Sequence, residues 1–260
     1  MSRPWRIAIP TSIAILSIVL WEVVVRLNEI PAYVIPAPSV VASTLVTDWP
    51  TLAPALAVTL KITLMSLALA IFGGVALAFV FSLSRIIEIS FFPFAVILQV
   101  TPIIAIAPLV LIYAPNTTAA LLACAWIVAF FPILSNTITG LRSADRNLQD
   151  LFSLYRATRW QRLTQLLVPS ALPYFMAGLK IAGGLALIGA VVAEFAAGSS
   201  GQESGLAYRI LEASFRLNMP RLFAALVLVS LTGIVIFVGF NALSRAVLGR
   251  WHESEMRDDR

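Results

Sequence analysis

Six apolar runs, near residues 7–25, 57–82, 91–113, 118–140, 174–197 and 221–244, decide what this chain can become. A helix needs about 20 mostly apolar residues to cross a bilayer, and only a helix or a closed barrel satisfies its backbone groups in hydrocarbon. Six runs of that length predict an all-α integral membrane protein with six transmembrane helices in one domain spanning 1–260. Hydrophobic residues make up 60% of the chain and charged residues 12%, against roughly 25% charge in soluble domains. One soluble core of this length cannot hide so much apolar surface. The net charge of +5 would suggest a nucleic-acid partner in a soluble protein. Here the arginines sit between the apolar runs, which makes them a topology signal and excludes nucleic acid as the reading.

Arg3 and Arg6 precede the first run, and Arg85 lies between the second and third. Arg142, Arg146, Arg156, Arg159 and Arg162 lie between the fourth and fifth, and Arg245, Arg250, Arg257 and Arg260 follow the sixth. Only Arg26, Arg209, Arg216 and Arg221 fall on the other side. The asymmetry predicts that both termini are cytoplasmic. The start, MSRPWR, has a signal peptide's basic character, but the apolar run continues to Val25 with no small-residue cleavage site, so a retained first span is expected. Pro31 to Pro54 is too rich in proline for a straight span and is expected along the outer interface. Gly198 to Pro220 opens as a flexible linker and continues as LAYRILEASF, whose apolar side predicts a short amphipathic helix. Trp5, Trp21, Trp49 and Trp251 suit interfacial belts. The single cysteine, Cys124, excludes an internal disulfide and reads as a packing residue.

The longest polar and basic interruption is the cytoplasmic loop 141–169, continuing to Pro173. Leu148, Leu151, Phe152 and Tyr155 recur at helical spacing. Thr158 and Gln161 have the spacing of a capping box, so a second helix starts there, with Trp160, Leu163 and Leu167 on its apolar side. Pro169 is expected to end that helix and Pro173 to open the fifth span. The result is a helix–turn–helix knob. On physical grounds alone it is equally a docking element for a partner groove and a pair of helices resting on anionic lipid headgroups.

The knob resembles the EAA loop of permease subunits in bacterial ABC importers. That pattern is Glu-Ala-Ala, three residues, Gly, nine residues, then Ile-x-Leu-Pro. Here the matching positions read Asp150-Leu151-Phe152, Arg156 and Leu166-Leu167-Val168-Pro169. Both alanines are replaced by larger residues, and Arg156 stands at the glycine, which leaves the handedness of the turn open. YVIPAPSVV, QVTPIIAIAPL from Gln99, FFPILSNTITGL from Phe130, LPYFMAGLKIA from Leu172 and VVAEF ending at Phe195 are similar to nitrate, sulfonate, taurine and thiamine-precursor permeases. GLAYRILEASFRLNMPRLFAAL and RWHES are similar to carriers of pyrimidines and other vitamin precursors.

The resemblance implies the type I importer fold in a bacterial inner membrane, working as a pair of permeases. It implies two ATPase subunits that carry the ATP and Mg, and a periplasmic or lipid-anchored solute-binding protein. The cargo would be a nitrate-, sulfonate- or taurine-like anion, or a pyrimidine-like compound. Asp150, Leu151, Phe152, Tyr155, Arg156, Ala157, Thr158, Arg159, Trp160 and Pro169 would then form the ATPase-coupling surface.

The fifth run carries small residues (Gly178, Ala182, Ala186, Gly189, Ala190, Ala193, Ala197) on one broad side, which predicts close helix packing. Glu22, Lys61, Lys180 and Glu194 lie in or near apolar runs, where charge is costly. Lys61 and Lys180 are placed to snorkel. Gln99, Asn136, Thr137 and Glu194 are the candidate pathway residues, with interhelical hydrogen bonding as the plainer role. Pro102, Pro108 and Pro132 predict kinks. The sequence has no Gly-x4-Gly-Lys-Ser/Thr loop, so ATP hydrolysis is expected on separate subunits and no cofactor in this chain. The one histidine, His252, sits in the polar tail, and no cluster has metal-ligand spacing. An ion-gradient-driven secondary transporter is the alternative; it predicts inverted repeats and paired helix breaks, neither of which the sequence shows.

Overall fold

The computed structural model of the chain describes residues 3–198 and 204–249. The tail from Arg250, including Trp251 and His252, and the linker residues 199–203 lie outside them, as do the side chains of Arg3 and Arg6. Among the described residues all regular structure is helical: α1 Arg3–Leu27, α2 Pro38–Thr47, α3 Trp49–Leu83, α4 Arg85–Val100, α5 Ile103–Tyr113, α6 Thr117–Arg142, α7 Arg146–Leu154, α8 Arg159–Arg162, α9 Val168–Ala197, α10 Leu206–Phe215 and α11 Met219–Leu248. Five stretches are long and apolar enough to cross a membrane: Ala8–Leu27, Trp49–Leu83, Thr117–Arg142, Arg159–Ala197 and Met219–Leu248. A sixth exists if α4 and α5 count as one span, bent by 102°.

That bend replaces the single kinked span expected over 91–113. Thr101 and Pro102 are both extended (ψ 122° and 116°). Proline disfavours helix at the residue before it and donates no N–H, so the run breaks where only a kink is expected. The Thr101 hydroxyl donates to the Ile97 carbonyl at 2.7 Å, so the last turn of α4 keeps a partner. Pro108 and Pro132 stay inside α5 and α6.

Pro169 corrects a second expectation: it ends no helix. From Arg159 to Ala197 the chain runs as one helical stretch, with a π turn at Leu163–Leu167 between α8 and α9. The Val168 N–H reaches back five residues to the Leu163 carbonyl. Widening the turn just before Pro169 moves the hydrogen-bond register to where a missing N–H is tolerated.

The described residues fall into two compact units, one within Met1–Val58 and Gly198–Ser230, the other within Thr59–Ala197 and Leu231–Arg260. In the first, Val41, Leu52, Ala55, Leu206, Ala224 and Ala225 form a core. Asp48 bridges to Arg221 at 2.6 Å. Glu22, inside α1, accepts hydrogen bonds from the Ser39 N–H and hydroxyl at 2.9 and 2.8 Å, which fastens α2 to α1. YVIPAPSVV turns and enters α2 with Pro38 in its first turn, where a missing N–H costs little. The amphipathic helix expected after the linker is α10; it buries Leu206, Ala207 and Ala213. Glu212 bridges Arg209 and Arg216 there.

The second unit is organised around α6 and α9. A Cβ placed on Gly140 would lie 2.8 Å from the Ala171 backbone. On Gly178 it would lie 2.8 Å from Pro132 O and Asn136 Cβ, and on Gly189 2.9 Å from Ala125 Cα. As the α6 numbers rise through 125, 132–136 and 140, their α9 partners fall through 189, 178 and 171. The two helices are therefore antiparallel and in backbone contact over roughly 22 Å. The small-residue side expected in the fifth run is this contact. Ile133, Leu134, Phe130, Leu179, Leu67 and Phe81 pack around it. Cys124 is buried beside Leu121, Ala125 and Ala190.

Gly140→Ala is expected to destabilise the purified permease by about 1–3 kcal/mol, because the α9 backbone at Ala171 blocks the methyl. Gly239→Ala meets no atom within 4 Å and is expected to be neutral or to gain up to about 1 kcal/mol of helix propensity. Thermal unfolding in detergent compares them, and equal effects would refute the close approach.

Candidate functional site: the α7–α8 knob

The loop between α6 and α9 builds itself from local signals. Asp145 caps α7, its carboxylate accepting from the Asn147 N–H at 2.7 Å. At the other end Arg156 takes φ +52°. The Arg156 N–H donates to Ser153 O at 3.0 Å and the Ala157 N–H to Phe152 O at 2.9 Å. Those two bonds, with a left-handed residue between them, are a Schellman cap. The turn is thus left-handed although Arg156 stands where a glycine would carry no penalty, and the strain, about 1–2 kcal/mol, is tolerated.

The capping box forms one residue beyond Ala157. The Gln161 N–H donates to the Thr158 hydroxyl at 3.2 Å and the Thr158 N–H donates to Gln161 Oε1 at 2.9 Å. Arg162 Nη2 donates to the Ser153 hydroxyl at 2.6 Å and ties the two helices together. Gln149 Nε2 donates to Ala144 O at 2.9 Å and anchors α7 to the turn that follows α6.

This frame leaves an apolar tip in solvent. Tyr155 is 80% exposed and Trp160 71%. Leu151 is exposed at the same tip, and so is Leu154, at 81%. Leu154 was missing from the candidates, although its place three residues after Leu151 is the signal that finds it. Phe152 is only half-buried, and so faces solvent less than its neighbours. Asp150, Arg156, Thr158 and Arg159 are exposed around the tip, Ala157 is half-buried in the turn, and Pro169 sits within the helical stretch behind it. A cluster of exposed leucine and aromatic side chains rimmed by arginine is a surface suited to docking.

The four pathway candidates are placed separately. Gln99 is exposed on the last turn of α4, just before the break. Asn136 Nδ2 donates to Pro132 O at 2.9 Å, and the Thr137 hydroxyl to Ile133 O at 2.6 Å, so both bond within their own helix. Thr137 also lines an apolar cavity of about 210 Å³. Glu194 is buried in α9, where the Thr59 hydroxyl donates to its carboxylate, 2.8 and 3.1 Å from the two oxygens. That bond joins α9 to α3.

The family model described as "Binding-protein-dependent transport system inner membrane component" matches residues 70–249, which include the whole knob. The chain belongs to this family. It is a multi-pass inner-membrane permease of the ABC transporter class, a transport component and not an enzyme. The formylaminopyrimidine transport permease protein ThiX of Halalkalibacterium halodurans is 32% identical over 95% of this permease and 98% of its own length. The riboflavin transport system permease protein RibX of Chloroflexus aurantiacus is 30% identical over 95% and 91%. The putative aliphatic sulfonates permease SsuC of Bacillus subtilis is 26% identical over 91% and 85%. Membership does not favour the gradient-driven alternative, and among the described residues one bent helix pair occurs, not two.

At Arg156, glycine is expected to release about 1–2 kcal/mol of strain against about 0.5–1 kcal/mol of added chain entropy. Amide hydrogen exchange across 146–162 should therefore rank Arg156→Gly most protected, the parent next and Arg156→Val least. The reverse order would rule out the left-handed turn.

Proposed function

We propose that this permease forms the translocation pathway of an importer as a pair of identical chains, with both termini cytoplasmic. Each knob is seated in one of two ATPase subunits, and those subunits bind the ATP and Mg. A periplasmic or lipid-anchored binding protein delivers the solute from outside. ATP binding closes the ATPase pair and draws the two knobs together, and the membrane helices follow as rigid bodies, so access alternates from inward to outward. The knob transmits force and performs no chemistry.

One observation carries this reading: the exposed tip formed by Leu151, Leu154, Tyr155 and Trp160, held by caps at the spacing of the EAA pattern. Lipid headgroups are a poorer match, because rigidly capped aromatic anchors suit a pocket. Asp150, Phe152, Arg156, Ala157, Thr158, Arg159 and Pro169 shape and rim that tip. Gln99, Asn136, Thr137 and Glu194 are proposed for the pathway, Glu194 through the bond that joins α3 to α9 near one end of the apolar stretch.

The cargo class follows from the relatives. Those named for nitrogen heterocycles match 95% of the chain at 30–32% identity. Those named for nitrate match 64–69% of it at 25–27%. A small nitrogen heterocycle of the vitamin-precursor kind is therefore proposed over an inorganic anion.

Tyr155→Asp combined with Trp160→Asp is expected to cut co-purification of the ATPase subunits more than tenfold and abolish ATP-dependent uptake of a pyrimidine substrate, while the melting temperature of the permease holds. Full-yield co-purification would reject the docking surface. Uptake by the permease alone on a proton or sodium gradient would reject the motor-coupled model.

A further inference from the structure

Two cavities share Leu141 as a wall, near where α3 and α6 finish and α4 begins. The first, about 350 Å³, is lined by Arg85, Arg142 and Arg162 together with Glu88, Gln149 and Ser82. Its volume falls within the range of small-molecule clefts, roughly 300–1,000 Å³. The second, about 210 Å³, is lined by Val75, Phe79, Leu141, Val168, Leu172 and Phe175. Leu141 is a wall of both. A charged chamber therefore opens beside a greasy one, at the level where apolar helices give way to polar loop.

We propose that the pair holds an anionic phospholipid, its phosphate among Arg85, Arg142 and Arg162 and an acyl chain against Phe79 and Phe175. Its leaflet, the inner one, rests on the cytoplasmic assignment of the knob made above. Three arginines face one carboxylate in the first cavity, and that carboxylate, Glu88, is paired with Arg142. The cavity keeps a net positive charge of two. A guanidinium has five N–H donors, so Arg142 bonded to Glu88 and Arg162 bonded to Ser153 still have donors for phosphate oxygens. The planar fork of arginine matches phosphate geometry, and basic pockets between helices on the cytoplasmic side take anionic headgroups. The apolar cleft selects lipid over a soluble anion, because free phosphate leaves it without an occupant.

Arg85 comes from α4, Arg142 from α6 and Arg162 from α8. One phosphate therefore bridges the helix ends and the second helix of the knob, and the lipid would set the angle at which the knob is presented.

The test uses the full-length permease in detergent and native mass spectrometry with added phosphatidylglycerol, phosphatidylcholine or inorganic phosphate. The parent is expected to retain phosphatidylglycerol over phosphatidylcholine, and millimolar phosphate should not displace it. Arg85→Gln with Arg162→Gln, which leaves the Glu88–Arg142 pair intact, should weaken phosphatidylglycerol about 30-fold, the effect of two cations near a surface. Val75→Phe, which fills the cleft, should weaken it as well, and Arg85→Lys should restore most binding. Equal retention of both lipids, or parent-like binding by the double variant, overturns the proposal. So does displacement by phosphate with no effect of Val75→Phe, which would mark a soluble-anion site. Should the double variant lose its melting transition, Val75→Phe and Arg85→Lys decide alone. The readout needs no ATPase subunit, so a failure here and a failure of docking are separate results.

Discussion

Everything in the larger unit depends on α6 and α9 approaching to backbone contact. In lipid no hydrophobic force draws helices together, so association rests on packing and on the hydrogen bonds that packing allows. Gly140, Gly178 and Gly189 remove the side chains that would hold the two axes apart. That contact places Asn136 against Gly178, brings Gly140 against Ala171, and holds the two ends of the knob, Arg142 and Val168, at fixed positions. Thr59 and Glu194 then connect α3 to the far part of α9 through one buried bond.

The knob stands on this base by a different economy. It buries little and owes its shape to backbone caps: Asp145 at the start, the Schellman bonds at Arg156 and the reciprocal Thr158–Gln161 pair. Caps contribute on the order of 1 kcal/mol each and need no core. An element held this way keeps its apolar side chains free on its outer side, because they are not consumed in holding it together. The exposure of Tyr155 and Trp160 is the direct result.

What the sequence disclosed and what it withheld divide along the range of the interactions involved. Apolar length found the spans, and the Thr158–Gln161 spacing found the second cap, because both are local. The small-residue side of the fifth run announced close packing but could not name α6 as its neighbour. Arg156 was unreadable in isolation: a non-glycine residue argues against φ above zero, and only the bonds to Phe152 and Ser153 show that the cap prevails. Pro169 misled for a related reason. Proline signals a stop when the helix before it is regular, and here the π turn at Leu163–Leu167 changes the register first. Pro102 signalled a bend, yet the size of that bend, 102°, lies beyond what a single residue states. Asn136 and Thr137 looked like pathway or interhelical groups because sequence gives polarity without direction; in the fold both turn back on their own helix.

The π turn has a geometric consequence of its own. Each residue of an α-helix advances the azimuth by about 100°, and a π turn accommodates one residue more than an α-helical turn. Trp160 and the α9 face that packs on α6 lie on opposite sides of that extra residue. The compass bearing of the tip, measured about the axis of α9, is therefore set by a residue count and not by any contact the tip makes. The same residues wound as regular α-helix between Leu163 and Leu167 would keep every cap of the knob, and would aim its tip about a quarter-turn away from the same spot.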